Sequence, residues 1–320
     1  MDRVRVAVAG AGQFGRHHMR VIRDSARAEL VAVVDPDTAR ASEAARQYSC
    51  PAFNRIEDLH GKIDAAIVAA PTNAHAEIGC AFLEAGVDVL VEKPIAADLG
   101  AANRLVETAR RAGRILQVGH LERFNPAVIA LERAITLPLF FEIHRLSVFT
   151  PRSLDVDVVL DLMIHDIDIV LSLVGRRPEE IRAAGISILS PKVDIANARL
   201  AFPGGCIANL TASRVSTEQV RKLRLFQPEQ YISVDYKRQD GVVISVQDGM
   251  RFGMSALPVQ KDEPLRLELE SFFECVAQRA QPVVDGNAAC LALEVALGIL
   301  DKIKEHSLVV AQSLAALRKP

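Results

Sequence analysis

The chain has 320 residues, half of them hydrophobic and 24% charged, with a formal net charge of −2. Its length predicts about two domains, its apolar content and balanced charge exclude a disordered chain, and its near-neutral charge argues against a dedicated nucleic-acid binder. No apolar run reaches the roughly 18 residues of a membrane span, and Met1-Asp2-Arg3 leads straight into Val4–Ala9, too short for the core of a signal peptide.

Over the first 120 residues, strand and helix patterns alternate. Val4–Ala9, Leu30–Val34, Ala65–Ala70, Val87–Val91 and Ile115–Val118 read as buried strands. Between them Phe14–Arg23, Thr38–Tyr48, His75–Ala85 and Gly100–Ala112 carry helical periodicity. Continuous apolar strands separated by helices predict a parallel sheet covered on both faces. After about residue 121 the pattern changes. Phe140–Val148, Ile181–Leu189, Ala196–Phe202, Cys206–Ser213, Lys222–Phe226, Tyr231–Tyr236 and Val242–Val246 read as strands joined by short turns, such as Pro203-Gly204-Gly205. Val156–Val174, Pro264–Arg279 and Ala288–His306 read as helices. The expected class is α/β: an N-terminal Rossmann doubly wound parallel sheet over 1–120, then an α+β domain with a mostly antiparallel open sheet over 121–320. The five cysteines (Cys50, Cys80, Cys206, Cys275 and Cys290) are scattered with no C-x-x-C pair. A disulfide framework or zinc site is not expected, and a reducing cytoplasm is.

Gly10-Ala11-Gly12-Gln13-Phe14-Gly15 is a G-x-G-x-x-G loop directly after the first strand and opening a helix. Asp35 ends the next strand, 20 residues after Gly15. That context is the dinucleotide fingerprint. Gly10 permits the turn, Gly12 lets backbone approach a pyrophosphate, and Gly15 lets helix and strand pack. Asp35 suits the ribose hydroxyls of NAD and repels the 2′-phosphate of NADP; Asp37 adds to that bias and Arg40 opposes it.

Ala70-Pro71-Thr72-Asn73-Ala74-His75 follows the third strong strand, and Glu92-Lys93-Pro94 stands at the end of the next. With the glycine loop, these motifs resemble the glucose–fructose oxidoreductase / inositol dehydrogenase (Gfo/Idh/MocA) family over essentially the whole chain. The resemblance implies cofactor contacts from Pro71, Thr72, Asn73, His75, Glu92, Lys93 and His120. It places Lys93, before a cis proline, beside the nicotinamide and the substrate hydroxyl.

Asp161 and His165 have D-x-x-x-H spacing, one helical turn apart on one face. The family carries an Asp and a His at this spacing, which implies His165 as general base and Asp161 as the residue that orients it. Lys93 then supplies positive charge to the developing alkoxide. The family's glycine run before the Asp is replaced here by Val158-Val159-Leu160. No metal is expected: Asp161, His165, Asp166 and Asp168 lie close in sequence, but hydride transfer from an alcohol needs no metal when a base and NAD are present.

In Val118–Pro126, Arg123 and Asn125 are candidates for the substrate, against a reading of Arg123 as a hinge residue paired with Glu122. His-Leu-Glu-Arg-Phe-Asn-Pro-Ala and the segments around Asp161, Asn197 and Arg214 are similar to a subgroup that includes UDP-N-acetylglucosamine 3-dehydrogenases. In that subgroup the C3 hydroxyl of a sugar nucleotide is oxidised to a 3-keto sugar ahead of an aminotransferase in lipid A biosynthesis. A diphosphate calls for arginines; Arg152 and Arg214 are the first candidates and Arg145 the third, against a solvated sheet face. Three readings stay open: a sugar-nucleotide dehydrogenase, a dehydrogenase of a free sugar or cyclitol, and a non-catalytic NAD-binding sensor. The expected partners are a small-molecule substrate and a second copy of the chain, as homodimer or homotetramer, with neither nucleic acid nor membrane.

Overall fold

A computed structural model describes residues 3–150, 156–247 and 251–317. By internal packing the chain divides into two units: residues 1–124 with 262–290, and residues 125–261 with 291–320.

The first unit runs β1 (Val4–Ala9), α1 (Gln13–Asp24), β2 (Ala28–Val34), α2 (Thr38–Tyr48), β3 (Ala52–Phe53), β4 (Ala65–Val68), α3 (His75–Glu84), β5 (Asp88–Glu92), α4 (Leu99–Ala112) and β6 (Leu116–Gly119). The strands form one sheet in the order β3-β2-β1-β4-β5-β6, and every pair is parallel. This is the doubly wound order that binds dinucleotides at the carboxyl ends of its strands. Caps fix the helix starts: Asp37 accepts from the Arg40 N–H at 3.0 Å and Asp98 from the Ala101 N–H at 2.9 Å, each worth about 1 kcal/mol. The third strong strand stops at Val68, short of the expected Ala70. Ala70 has left the sheet, and its carbonyl faces the His75 ring instead.

The periodicity did not signal β3, only two residues long, or the 3-10 turns at Ile56–Leu59, Thr72–Ala74 and Leu121–Phe124. Further along the chain, a helix over Pro264–Gln278 returns to this unit. Its Leu269, Phe272 and Phe273 are buried in one core with Val6, Val8, Met19, Ile22 and Ile67.

In the second unit α5 (Pro126–Ala134) precedes β7 (Phe140–Val148), and a π turn at Val159–Met163 leads into α6 (Ile164–Val174). Then come β8 (Glu180–Ile186), β9 (Ile195–Ala201), β10 (Ile207–Ser216), β11 (Val220–Gln227), β12 (Gln230–Asp235), β13 (Asp240–Gln247) and β14 (Arg251–Ala256). The helix over Pro264–Gln278 is α7 in chain order, and α8 (Gly286–Leu317) closes the sequence. The eight strands are ordered β14-β13-β12-β11-β7-β10-β9-β8. All pairs are antiparallel except β7 with β10.

One face of this sheet is packed by Phe141, Ile143, Leu200, Leu210, Leu223 and Leu225 against Ile164, Ile167 and Val170 of α6. Two elements here depart from the expected list. α5 starts on an Asn125 cap with Pro126 in its first turn, and β14 carries mostly exposed residues without alternation. Among the described residues no helix is long and apolar enough to cross a membrane.

Candidate active site

Three glycines shape the first unit's loop in three ways. At Gly10 φ is +109°, and an added Cβ would lie 2.4 Å from the Ala69 carbonyl oxygen. Only glycine turns the chain there against β4. At Gly15 an added Cβ would lie 1.8 Å from the Gly10 carbonyl oxygen, so α1 and the loop touch backbone to backbone. At Gly12 an added Cβ meets nothing within 4 Å. Gly12 is also the N-cap of α1, with no side-chain cap and no acid in the first turn. The positive end of the helix dipole therefore faces an uncapped opening, an arrangement suited to phosphate.

Asp35 follows β2 and is 4% exposed. Its Oδ2 accepts from the Ala11 N–H at 2.8 Å and its Oδ1 from the Asp37 N–H at 2.9 Å. One carboxylate thus ties the glycine loop to the turn before α2, and each oxygen keeps a lone pair for a ligand. Arg40 lies 3.7 Å from Asp35 and 3.2 Å from Asp37, so its charge is already answered by two acids.

A cavity of about 760 Å³ opens over this loop, within the range of small-molecule sites. Gly10, Gly12, Gln13, Phe14, Asp35 and Pro71 line it, with Arg40 beside them. These features fit NAD: clearance over Gly12, an uncapped helix start below it, and a ribose-binding acid at the end of β2. Asn54 and Arg55, after β3, also line the cavity; with only two residues in β3, periodicity gave no sign of them.

Gly15, Thr72, Asn73, His75, Glu92, Lys93 and His120 are not on that wall. His75 is buried, and its ring nitrogens each lie 2.9 Å from a carbonyl oxygen, those of Pro94 and Ala70. Burial holds the imidazole below its ordinary range, while the two carbonyls pull the other way. The ring braces the β4 loop to the segment after β5. The Lys93–Pro94 bond is cis. Glu92 accepts from the Lys93 N–H at 3.2 Å and is bonded to the His18 ring at 2.7 Å. His120 is buried directly after β6.

The second unit holds Asp161 and His165. Sequence spacing alone predicts an ordinary helix here. Instead Asp161 sits in a π turn, closed by the Ile164 N–H donating to the Val159 carbonyl. Such insertions recur at functional positions. Asp161 and His165 stay partly exposed, while Met163, Ile164, Asp166, Ile167 and Asp168 are buried.

The expected phosphate ligands are placed differently from one another. Arg145 is 2% exposed and donates to both oxygens of Asp166, each at 2.7 Å, with its guanidinium 5.3 Å from the Tyr236 ring centre. Arg214 is buried against Asp194, at 3.7 Å, and donates to the Val156 carbonyl. Asn125 caps α5 through the Ala127 N–H at 3.1 Å and donates to the Tyr236 carbonyl at 3.0 Å. As placed, these three side chains are internal braces of the second unit. Arg123 is partly exposed in the first unit's 3-10 turn. Arg152 lies outside the described residues.

Residues 4–120 match the profile of an oxidoreductase family with an NAD-binding Rossmann fold, and residues 141–232 match the GFO/IDH/MocA C-terminal domain. Over 308 residues the chain is 35% identical to the UDP-N-acetylglucosamine 3-dehydrogenase of Acidithiobacillus ferrooxidans, spanning 93% of this chain and 97% of the relative. It is 28% identical over 325 residues to the scyllo-inositol 2-dehydrogenase (NAD(+)) of Bacillus subtilis, spanning 94% of each. A solved structure of the Acidithiobacillus enzyme aligns with a TM-score of 0.90 at 33% identity, covering 96% of this chain and 99% of that one. Sequence, fold and glycine loop agree: the chain belongs to the Gfo/Idh/MocA family of oxidoreductases, with NAD as its cofactor.

Proposed function

We propose that this enzyme oxidises the C3 hydroxyl of UDP-N-acetylglucosamine to the 3-keto sugar nucleotide, with the first unit holding NAD and the second, which begins at Asn125 and gives up 262–290 to the first, serving substrate and assembly. The observation that carries the reading is the near-full-length relative at 35% identity that bears this activity. The nicotinamide supplies the hydride acceptor. His165, as the neutral imidazole, takes the hydroxyl proton. Asp161, four residues earlier, orients the imidazole. Lys93 stabilises negative charge on the sugar oxygen.

Arg123, partly exposed in the 3-10 turn, is a candidate for binding the diphosphate, and Arg152 is another; Arg145, Arg214 and Asn125 make internal bonds. The exposed apolar ladder of Val242, Ile244 and Val246 on β13, paired with Ala256, Met254 and Phe252 on β14, supports a homo-oligomer. The experiment is NADH formation from UDP-N-acetylglucosamine with an aminotransferase and an amino donor present to remove the ketone. Turnover supports the reading, and none in the coupled assay overturns it.

A dehydrogenase of a free sugar or cyclitol is the second reading. It is favoured by the inositol dehydrogenase relative and by the internal pairing of Arg145 with Asp166. Thermal stabilisation by UDP alone separates the two, because a cyclitol enzyme has no reason to bind a nucleotide.

A further inference from the structure

The first unit carries an ionisable cluster that hydride transfer does not use. Strand register sets Leu90 opposite Gln117 and Glu92 opposite Gly119, so Glu92, Gln117 and Gly119 share one sheet face. Gly119 makes room there: an added Cβ would lie 3.1 Å from Glu92 Oε2. α1 brings His18, whose Nε2 is 2.7 Å from Glu92 Oε1. α7 brings Glu268, whose main-chain carbonyl accepts from Gln117 Nε2 at 3.4 Å. His18, Gln117 and Glu268 are each at most 1% exposed. Among the described residues, His18 Nδ1, Gln117 Oε1 and both Glu268 carboxyl oxygens find no hydrogen-bond partner.

A buried carboxylate with no donor is costly, and the group keeps its proton instead. Burial raises the Glu268 carboxyl well above its ordinary range, and the charge of Glu92 raises it further. Burial acts on Glu92 in the same sense, but the His18 bond and the charge of Lys93 outweigh it and leave Glu92 below its ordinary range. Two carboxyls in one space are pushed apart, and each takes a distinct state.

The ionisable groups around Glu268 come from several elements. α1 contributes His18, and β5 contributes Glu92 with Lys93 behind it. The 3-10 turn packed on α7 carries Glu122 and Arg123; Arg5 of β1 alternates with Val4, Val6 and Val8, which pack with α7, and so stands on the other face of the sheet. On α7 itself Arg266 is bound to Asp262, and Glu270 to Ser25 and Arg27.

We propose that Glu268 is a positioning residue of the NAD site: carried as the neutral acid, it leaves Glu92 as the cluster's one anion, and its ionisation drives the two carboxylates apart. His18 lies on α1, the helix whose N-terminus underlies the glycine loop, and Lys93 is bonded through its N–H to Glu92. Repulsion at Glu268 therefore shifts both and loosens NAD. The inference holds whichever hydroxyl the enzyme oxidises.

The experiment is calorimetric titration of NAD into the wild type and Glu268→Gln from neutral to alkaline pH, beside melting of the cofactor-free proteins. Wild-type affinity is expected to fall about tenfold per pH unit above the Glu268 ionisation, while that of Glu268→Gln stays flat through the same range. An acid with a raised folded pKa takes up a proton on folding, so wild-type stability falls as pH rises above the ordinary value of 4.5. Glu268→Gln lacks that loss, and its melting advantage widens with pH. An identical alkaline fall in NAD affinity in both proteins overturns the proposal. Should the variant not fold, infrared spectra of the wild type decide. A protonated-carboxyl band at neutral pH that bleaches as NAD binding weakens supports the proposal; absence of that band overturns it.

Discussion

Replacing Gly12 with alanine separates the shape of the cofactor loop from its stability. In the cofactor-free protein the new methyl meets no atom within 4 Å, and φ at this residue is −70°, which alanine accepts. The change costs only the weaker N-cap of alanine, about 0.5–1 kcal/mol, or a few degrees of melting temperature. With NAD bound, the methyl occupies the clearance that the fingerprint reserves for pyrophosphate. Overpacking of that kind costs about 1–3 kcal/mol, a weakening of roughly 5- to 150-fold. Calorimetric titration of NAD and ligand-free melting, run on the same preparation, read the two terms separately. A folded Gly12→Ala protein that binds NAD as tightly as the wild type would refute the assignment of this glycine.

Gly15→Ala is the counterpart. Its methyl falls 1.8 Å from the Gly10 carbonyl oxygen, so ligand-free melting should drop by about 3 kcal/mol equivalent, and normal melting contradicts the packing described. Asp35→Ala removes the carboxylate bonded to the Ala11 and Asp37 amides; NAD affinity should fall and the NAD:NADP ratio shrink toward parity, and a constant ratio excludes Asp35 as the selector. His165→Ala should keep NAD affinity and lose about 10²–10⁴-fold in kcat; unchanged kcat removes it as the base.

Asp194 contributes to acid-dependent stability in the second unit. Burial raises its carboxyl, but bonds from Ser190 and the amides of Ile188, Leu189 and Ser190 outweigh this and hold it at about 2. A depressed acid stabilises the fold above its ordinary value of 3.8 and loses that contribution as pH falls toward 2. After allowance for solvent screening the contribution is about 1–2 kcal/mol. Asp194→Ala should therefore melt lower at neutral pH and show a shallower acid limb; an unchanged acid limb contradicts the assignment.

Much of the fold was legible because burial writes itself into short apolar runs. α2 at Thr38–Tyr48 and β7 at Phe140–Val148 have the bounds that periodicity predicts. The glycine loop was legible for a different reason: Gly10 and Gly15 answer backbone requirements that no other residue meets, and Gly12 leaves clearance above the helix start. What escaped depends on distant partners. Arg145 reads as a phosphate ligand until Asp166, on another element, takes its whole guanidinium edge. Glu268 stands in Leu267-Glu268-Leu269-Glu270, and its burial comes from the packing of α7, which the local sequence does not signal. The π turn around Asp161 is invisible to a pattern that assumes a regular helix, and β14 escaped because its residues face solvent without alternation.

The central claim is tested most directly by following the hydrogen that moves. UDP-N-acetylglucosamine deuterated only at C3 is incubated with NAD, enzyme and the coupling aminotransferase, and the reduced cofactor is weighed by mass spectrometry. Deuterium in the NADH is the predicted result; NADH formed without deuterium, or none formed at all, would contradict oxidation at that carbon.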